Sequence, residues 1–344
     1  ISADGGYVAL LGAQVDNEGV INARLGTVAL AAGNAVTLDV VGDGLLNVAV
    51  DKGAVRALAQ NGGLIQANGG QVVLTALSAS RLIKAAVNNT GIIEAQTVDM
   101  RGGTIKLLGD MQNGVVNVSG TLDASAPNGG NGGVIETSAQ VVNVADIAHI
   151  TTAASSGLTG TWHIDPQDFT IGAGGNISGA TLSTLLVTNS VVIDTVDAPD
   201  TIDPGSPPVS NLHSTTPGNG DINVNDAVTW TAAPNTTTLT LNAARDVNIN
   251  GAITATNGNF VVCCGRDINL NAAIVTTNGS VLLSAGRNIF LNPVGSMTTT
   301  NGNITICAAV DITVDAAITL TSGSTIPAQS LGLTLGLLMI AGNG

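Results

Sequence analysis

Arg245-Asp-Val-Asn-Ile-Asn250, Arg266-Asp-Ile-Asn-Leu-Asn271 and Arg287-Asn-Ile-Phe-Leu-Asn292 are one hexapeptide pattern written three times, 21 residues apart. Apolar residues fall on every second position of each copy, the period of a strand with one buried face. A preceding run keeps the same interval: Leu239-Thr-Leu-Asn-Ala243, Phe260-Val-Val-Cys-Cys264, Val281-Leu-Leu-Ser-Ala285 and, after a slightly longer step, Ile304-Thr-Ile-Cys-Ala308. A short third piece, as in Ala252-Ile-Thr-Ala255 and Ala273-Ile-Val-Thr276, completes the unit. Asn257-Gly258, Asn278-Gly279 and Asn301-Gly302 punctuate it with residues that tolerate positive φ. Three short strands in about 21 residues predict a triangular coil whose copies stack about 4.8 Å apart in parallel ladders.

The N-terminal third carries a looser version. Gly6-Tyr-Val-Ala-Leu10, Gly26-Thr-Val-Ala-Leu30, Gly70-Gln-Val-Val-Leu74 and Gly103-Thr-Ile-Lys-Leu107 are one strand type. Asn17-Glu-Gly-Val-Ile-Asn-Ala23, Asn61-Gly-Gly-Leu-Ile-Gln-Ala67 and Asn89-Thr-Gly-Ile-Ile-Glu-Ala95 are another. Aromatics make up only 2% of the 344 residues against 44% hydrophobic, so thin layers of Val, Ile, Leu and Ala must fill the interior. The expectation is an all-β triangular solenoid of about 13 coils, roughly 60 Å long at that spacing. Residues 1–155 form its looser part and 221–344 its regular part. Between them, 156–220 reads as a non-rung excursion with a Pro-rich acidic loop, anchored by Trp162 and Phe169, and Thr181–Leu186 suits a short helix there. The apolar tail Leu331–Ile340 is too short to span a bilayer and reads as one more buried coil. The chain opens mid-pattern at Ile1, as a mature piece or an excised fragment does.

Charge excludes some functions. The net charge is −14, and no Lys or Arg occurs between Lys106 and Arg245. Binding to nucleic acid or to anionic membranes depends on such cations, so neither is expected. Three cysteines make no disulfide framework. Cys263, Ser284 and Cys307 share one column, which sets the two thiols roughly 9–10 Å apart, too far to bridge.

Ile1-Ser-Ala-Asp-Gly-Gly-Tyr-Val-Ala-Leu10, Val15-Asp-Asn-Glu-Gly-Val-Ile-Asn-Ala23 and Gly26-Thr-Val-Ala-Leu-Ala-Ala-Gly33 resemble filamentous haemagglutinin-type exoproteins of the two-partner secretion pathway. Gly160-Thr-Trp-His-Ile-Asp-Pro-Gln-Asp-Phe-Thr-Ile171, followed by Gly220-Asp-Ile-Asn-Val-Asn225, is similar to a segment of large adhesins of that family. The resemblance implies a right-handed parallel β-helix, a Gram-negative source, export through an outer-membrane β-barrel transporter and an extracellular or cell-surface adhesin. The family's Asn-Pro-Asn-Gly type of secretion motif is absent; Asn292-Pro293 stands alone in a late rung.

Several residue groups invite a chemical reading. His163, Asp165 and Asp168 surround Pro166 and suggest acid–base work, but Asp-Pro-x-Asp is equally good turn chemistry. Asp194, Asp197, Asp200 and Asp203 offer oxygen ligands for calcium without an EF-hand or nonapeptide pattern, so a solvated acidic loop is the default. The rows Asn250, Asn271, Asn292 suit an amide ladder. The rows Arg245, Arg266, Arg287 and Asp246, Asp267, Asn288 suit a surface charge lattice, with glycan binding as the other use of the arginines. No catalytic residue, metal or cofactor is assigned. The functional expectation is a stalk or fibre segment serving attachment, aggregation or biofilm, with a surface glycan or protein as partner and end-to-end or lateral self-association open. The alternatives are a polysaccharide-degrading enzyme and a glycan- or protein-binding module on 156–220.

Overall fold

A computed structural model of the chain describes residues 1–41, 45–79, 84–196, 219–321 and 336–342. The chain is all-β apart from a single helix, Gly179–Leu185, among the described residues. It divides into two units, one built mainly from Ile1–Gln167 and the other from Asp168–Val196 with Gly218–Gly344.

In the first unit the chain visits three sheets in rotation. Tyr7–Gly12, Thr27–Ala32, Gln71–Ala76, Thr104–Leu108, Val134–Ser138 and Thr161–Asp165 lie side by side in one. Gln14–Asn17, Leu58–Asn61, Ala85–Asn89, Gly114–Val118 and Val141–Val144 form the second; Val20–Asn22, Leu64–Gln66, Ile92–Glu94, Thr121–Asp123 and His149–Thr151 form the third. Every pairing within these sheets is parallel and unshifted, as in Val28↔Val72 and Val72↔Ile105. Among the described strands, the one antiparallel pair is a hairpin, Ala35–Val41 with Leu45–Lys52, inserted after the second strand of the first sheet.

The second unit repeats the plan. Ser190–Asp194, Thr237–Ala243, Gly258–Cys264, Val281–Ala285, Ile304–Ala308 and Leu337–Ala341 share one sheet. Phe169–Ile171, Ile222–Val224, Val247–Ile249, Ile268–Leu270, Asn288–Leu291 and Asp311–Val314 share another, and Val228–Thr231, Ile253–Thr256, Ile274–Thr277, Met297–Thr300 and Ile318–Thr321 the last. Inward-facing aliphatic residues stack on their own kind. Ile222, Val247, Ile268 and Ile289 form one fully buried column, and Leu241, Val262, Leu283 and Ile306 another. Each such side chain contributes about 1.5–3 kcal/mol by leaving water.

Three expectations need correction. First, much of 156–220 runs in register with its neighbours. Trp162 pairs with Ile135 in the first unit, Phe169 with Ile222 in the second, and Val191 with Leu239. Both aromatic side chains are fully buried members of their sheets, not anchors of an excursion. The helix takes the place of a strand in that circuit and packs on Val228–Thr231. Ser178 caps it, its Oγ accepting from the Thr181 N–H at 3.1 Å. The Pro-rich part, 197–218, lies outside the described residues. Second, apart from the first, where Tyr7 pairs with Thr27 20 positions on, the N-terminal circuits are longer than 21 residues. Val134 pairs with Thr161, 27 positions on, because extra turn residues sit at the corners while strand lengths stay the same. Third, Leu337–Ala341 is paired but not buried: Leu337 is 39% and Ile340 54% exposed, at the edge of its sheet.

Stacking also sets the glycine columns. A Cβ on Gly63 would meet Gly19 O at 2.1 Å, on Gly91 the Gly63 O at 2.2 Å, and on Gly120 the Gly91 O at 2.1 Å. Each corner lies so close to the one before it that no side chain fits. Gly91→Ala therefore destabilises the protein by about 1–3 kcal/mol, the usual cost of overpacking. Gly102→Ala, where a Cβ meets nothing nearer than 3.8 Å, leaves stability within about 0.5 kcal/mol. Denaturant midpoints of the two variants check the contrast.

Candidate functional site

The chemistry-bearing side chains of the chain line up in columns. Asn250, Asn271 and Asn292 extend a row that begins at Asn225: each amide N–H donates to the carbonyl oxygen of the preceding circuit's Asn, at 2.9, 2.8 and 2.6 Å. A parallel row joins Asn223, Asn248 and Asn269 at 2.9 Å per step and ends where Phe290 takes the next place. Asn257, Asn278 and Asn301 form a third at 3.1 and 3.0 Å. These last three sit at φ of 53–56°, where Asn is tolerated, and the Gly after Asn278 and Asn301 clears the carbonyl of the preceding Gly. The Asn-Gly pairs thus do two jobs at one corner.

One amide row runs inside the first unit, hidden in motifs that the sequence marks only as strands. Asn61 is fully buried; it accepts from Asn17 Nδ2 at 2.8 Å and donates to Asn89 Oδ1 at 2.9 Å. The same Nδ2 lies 3.3 Å from Gly63 O, which ties the row to the glycine column. The recurring Asn-x-Gly before each apolar pair is the signal that carries it. An outward row joins Asn88, Asn117 and Asn143.

The arginines do not pair mainly with the aspartate beside them in sequence. Each reaches the aspartate of the preceding circuit through Nε and Nη2 together: Arg245 to Asp221, Arg266 to Asp246 and Arg287 to Asp267, with Nε distances of 2.7, 2.6 and 2.8 Å. Each carboxylate also accepts the backbone N–H stacked over it, at 3.2 Å. The fork matches the carboxylate geometry and sets like charges one step apart along a staircase. Hydrogen bonding to Arg287 lowers the Asp267 pKa, and the carboxylate partners raise that of each arginine. The staircase ends where Asn288 replaces the acid and Val310 the base of the next step, so both charges are lost together.

Asp168 belongs to the same column. Its Oδ1 accepts from the Asn219 and Asp221 N–H groups, both at 2.9 Å, the role that Asp221 repeats for Asp246. That is a main-chain brace, the turn role that Asp-Pro-x-Asp suits. His163, in the first unit, stands next to Glu136 in a buried cross-strand row, and Glu136 lies 3.6 Å from Lys106 Nζ. Asp194 accepts from Asn242 Nδ2 at 2.9 Å and from the Val196 N–H at 2.8 Å. Asp197, Asp200 and Asp203 lie outside the described residues. No group of three metal-ligating side chains occurs among the described residues.

Both tryptophans use one device. Trp162 Nε1 donates to Thr137 Oγ1 at 3.2 Å, and Trp230 Nε1 to Thr237 Oγ1 at 3.1 Å. Each buried indole N–H is satisfied, so a large apolar ring sits among thin layers without an orphaned donor. The cysteines are free; Cys263 pairs across with Ser284 and Ser284 with Cys307. Burial pushes the Cys264 thiol up to about 11, which makes it a poor nucleophile near neutrality.

Two outcomes follow. Asn61→Ala strands the buried amide groups of Asn17 and Asn89 and costs about 2–4 kcal/mol, whereas Asn271→Ala, whose neighbours reach solvent, costs under about 1 kcal/mol. Equilibrium unfolding in urea measures both. Asp267 has a depressed folded pKa, so its contribution is present above the unfolded value of about 3.9 and fades as pH falls through the folded value. Asp267→Asn therefore lowers the urea midpoint at pH 7, and the difference from the parent chain shrinks as the pH falls below the unfolded value and through the depressed folded one.

Comparison of the chain with protein-family models, with curated proteins and with solved structures returns no match.

Proposed function

We propose that the chain is a stretch of right-handed parallel β-helix that serves as a rigid stalk or fibre segment of a large secreted surface adhesin. The reading takes the strands of each unit as successive rungs around one filled interior. One observation carries it above the others: from circuit to circuit, main-chain ladders on three sheets and side-chain ladders of Asn and of Arg–Asp repeat the same bonds. Such a chain adds length without adding a new kind of surface, which is what a spacer requires. The Asn and Arg–Asp rows that the sequence marks are engaged in this stacking, so they hold circuits together instead of converging on a substrate.

The filamentous-haemagglutinin kinship, a Gram-negative source and passage through an outer-membrane transporter belong to the same proposal. They rest on the resemblance carried by Ile1–Leu10, Val15–Ala23 and Gly26–Gly33, and by Gly160–Ile171 followed by Gly220–Asn225. Attachment to a surface glycan or protein and association between rods are the roles such a stalk supports.

Stretching single molecules of the 344-residue chain tests the reading. Nearest-neighbour stability predicts a train of small unfolding events, each releasing one circuit of 21 residues in the second unit, or about 70 Å of extended chain. One all-or-none event per unit would overturn it, and so would turnover of pectin or alginate by the purified protein.

A further inference from the structure

In the first unit, the turns that leave the third sheet stack at one corner. Leu25 N–H donates to Asn68 O, Gly69 N–H to Gln96 O and Thr97 N–H to Ser125 O. There they frame an open cleft of about 500 Å³, inside the ~300–1,000 Å³ range of small-molecule sites. Arg24, Asn68, Gln96, Asp99, Met100 and Asn128 line it.

These side chains differ from the laddered ones elsewhere. The Arg24 guanidinium, the Asp99 carboxylate and the Asn128 amide have no hydrogen-bond or ion-pair partner among the described residues. Asn68 Oδ1 accepts from the Gln96 N–H at 2.8 Å, which fixes the amide and leaves its N–H groups available. Gln96 Nε2 donates to Asp123 at 2.7 Å, which leaves its carbonyl oxygen available.

The backbone supplies a second, independent observation. Asp99 and Met100, at φ of 50° and 67°, form the tip of a two-residue turn closed by Val98 and Arg101, with N–H···O bonds of 3.0 and 2.9 Å. Such a turn favours Asn-Gly, and a non-Gly residue in the left-handed region costs roughly 1–3 kcal/mol. In the first unit Leu25 and Arg56 share the left-handed region, at 58° and 57°, each as a single residue, whereas Asp99 and Met100 occupy it in succession. Here the sequence keeps Met100 in that strained position, 77% exposed, where it adds nothing to the core. Backbone strain held at a cleft rim beside unpaired polar groups is the pattern of a binding site.

We propose that this cleft binds a neutral oligosaccharide. One cation and one anion line it, so the walls carry no net charge to select a phosphate or a polybasic segment. A single carboxylate is too few to hold calcium. What the walls offer is donors and acceptors interleaved over a short distance: guanidinium, carboxylate and three amides. Adjacent sugar hydroxyls, each donor and acceptor at once, satisfy both kinds together. Met100 offers a flexible apolar surface for the C–H face of a pyranose ring. The inference goes beyond the stalk reading and is separable from it, since loss of binding would leave the stretching trace unchanged.

Saturation-transfer NMR and calorimetry on the full chain test it, with maltotriose, chitotriose and N-acetyllactosamine as probes and trigalacturonate as the acidic comparison. Binding of at least one neutral probe is expected, weakened tenfold or more by Asp99→Asn, which keeps a residue suited to positive φ, and by Arg24→Gln. Asp39→Asn, on the hairpin, leaves the affinity unchanged, and thermal melts establish that each variant is folded. No binding of any neutral probe, binding that survives both cleft substitutions, or binding of trigalacturonate alone would overturn the proposal.

Discussion

The constraint on which the structure depends is translation by one strand spacing. When a strand lies about 4.8 Å from its own copy in parallel register, every side chain meets the side chain one circuit away at that distance. The residue at each position must therefore tolerate its own kind as a neighbour. Aliphatic residues do so by simple contact, as in the column Ile222, Val247, Ile268 and Ile289. Amides do so by donating along the row with one end and accepting with the other, as Asn61 does between Asn17 and Asn89. Glycine does so where the corners leave no room for a Cβ. The composition follows from this rule: much Gly, Asn, Val and Ile, and few aromatics or charges.

Charge is the hard case, because stacked like charges repel. The second unit resolves it by offsetting the two signs one circuit apart. Each guanidinium forks onto the carboxylate of the preceding circuit, and Arg245 and Arg266 so lie between two acids of their column; Arg266 Nε is 2.6 Å from Asp246 Oδ1 and 3.8 Å from Asp267 Oδ2. The aspartate also takes a main-chain N–H, which binds the charge column to the strand ladder. Where the arginine is missing, at Val310, the acid is missing too, at Asn288. At the other end the two signs part company: Asp168 keeps its carboxylate as a main-chain brace while Gly220 stands in the arginine's place.

Much of this was legible in the sequence, because a fixed period at strand spacing reports directly on stacking. The recurrence of Arg245, Arg266 and Arg287 gave the register of the second unit, and the cysteine column followed from it. What failed to show has physical causes. Trp162 and Phe169 look alien beside Val and Ile, yet buried rings fit once a threonine hydroxyl satisfies the Trp162 indole N–H. The helix at Gly179–Leu185 interrupts the alternation around them, so the paired strands on either side read as an excursion. The diagonal of the charge staircase was hidden because Arg and Asp adjoin in sequence, and adjacency suggests the wrong partner. The buried row through Asn61 was hidden because Asn before Gly reads first as a turn. The cleft at Asp99 and Met100 left no periodic trace, since it consists of departures from the pattern.

The claim that circuits stack in unshifted register is tested most directly by placing a thiol between two native ones. Cys263, Ser284 and Cys307 occupy consecutive places in one column. Neighbouring strands at about 4.8 Å fall within the ~4.4–6.8 Å Cα separation that a disulfide spans, whereas two steps exceed it. Under mild oxidation the parent chain should retain three free thiols, and Ser284→Cys should form a bridge from position 284 to Cys263 or to Cys307, read by non-reducing peptide mapping. A bridge between Cys263 and Cys307 in the parent chain, or no bridge to position 284 in the variant, would contradict the register on which the whole account stands.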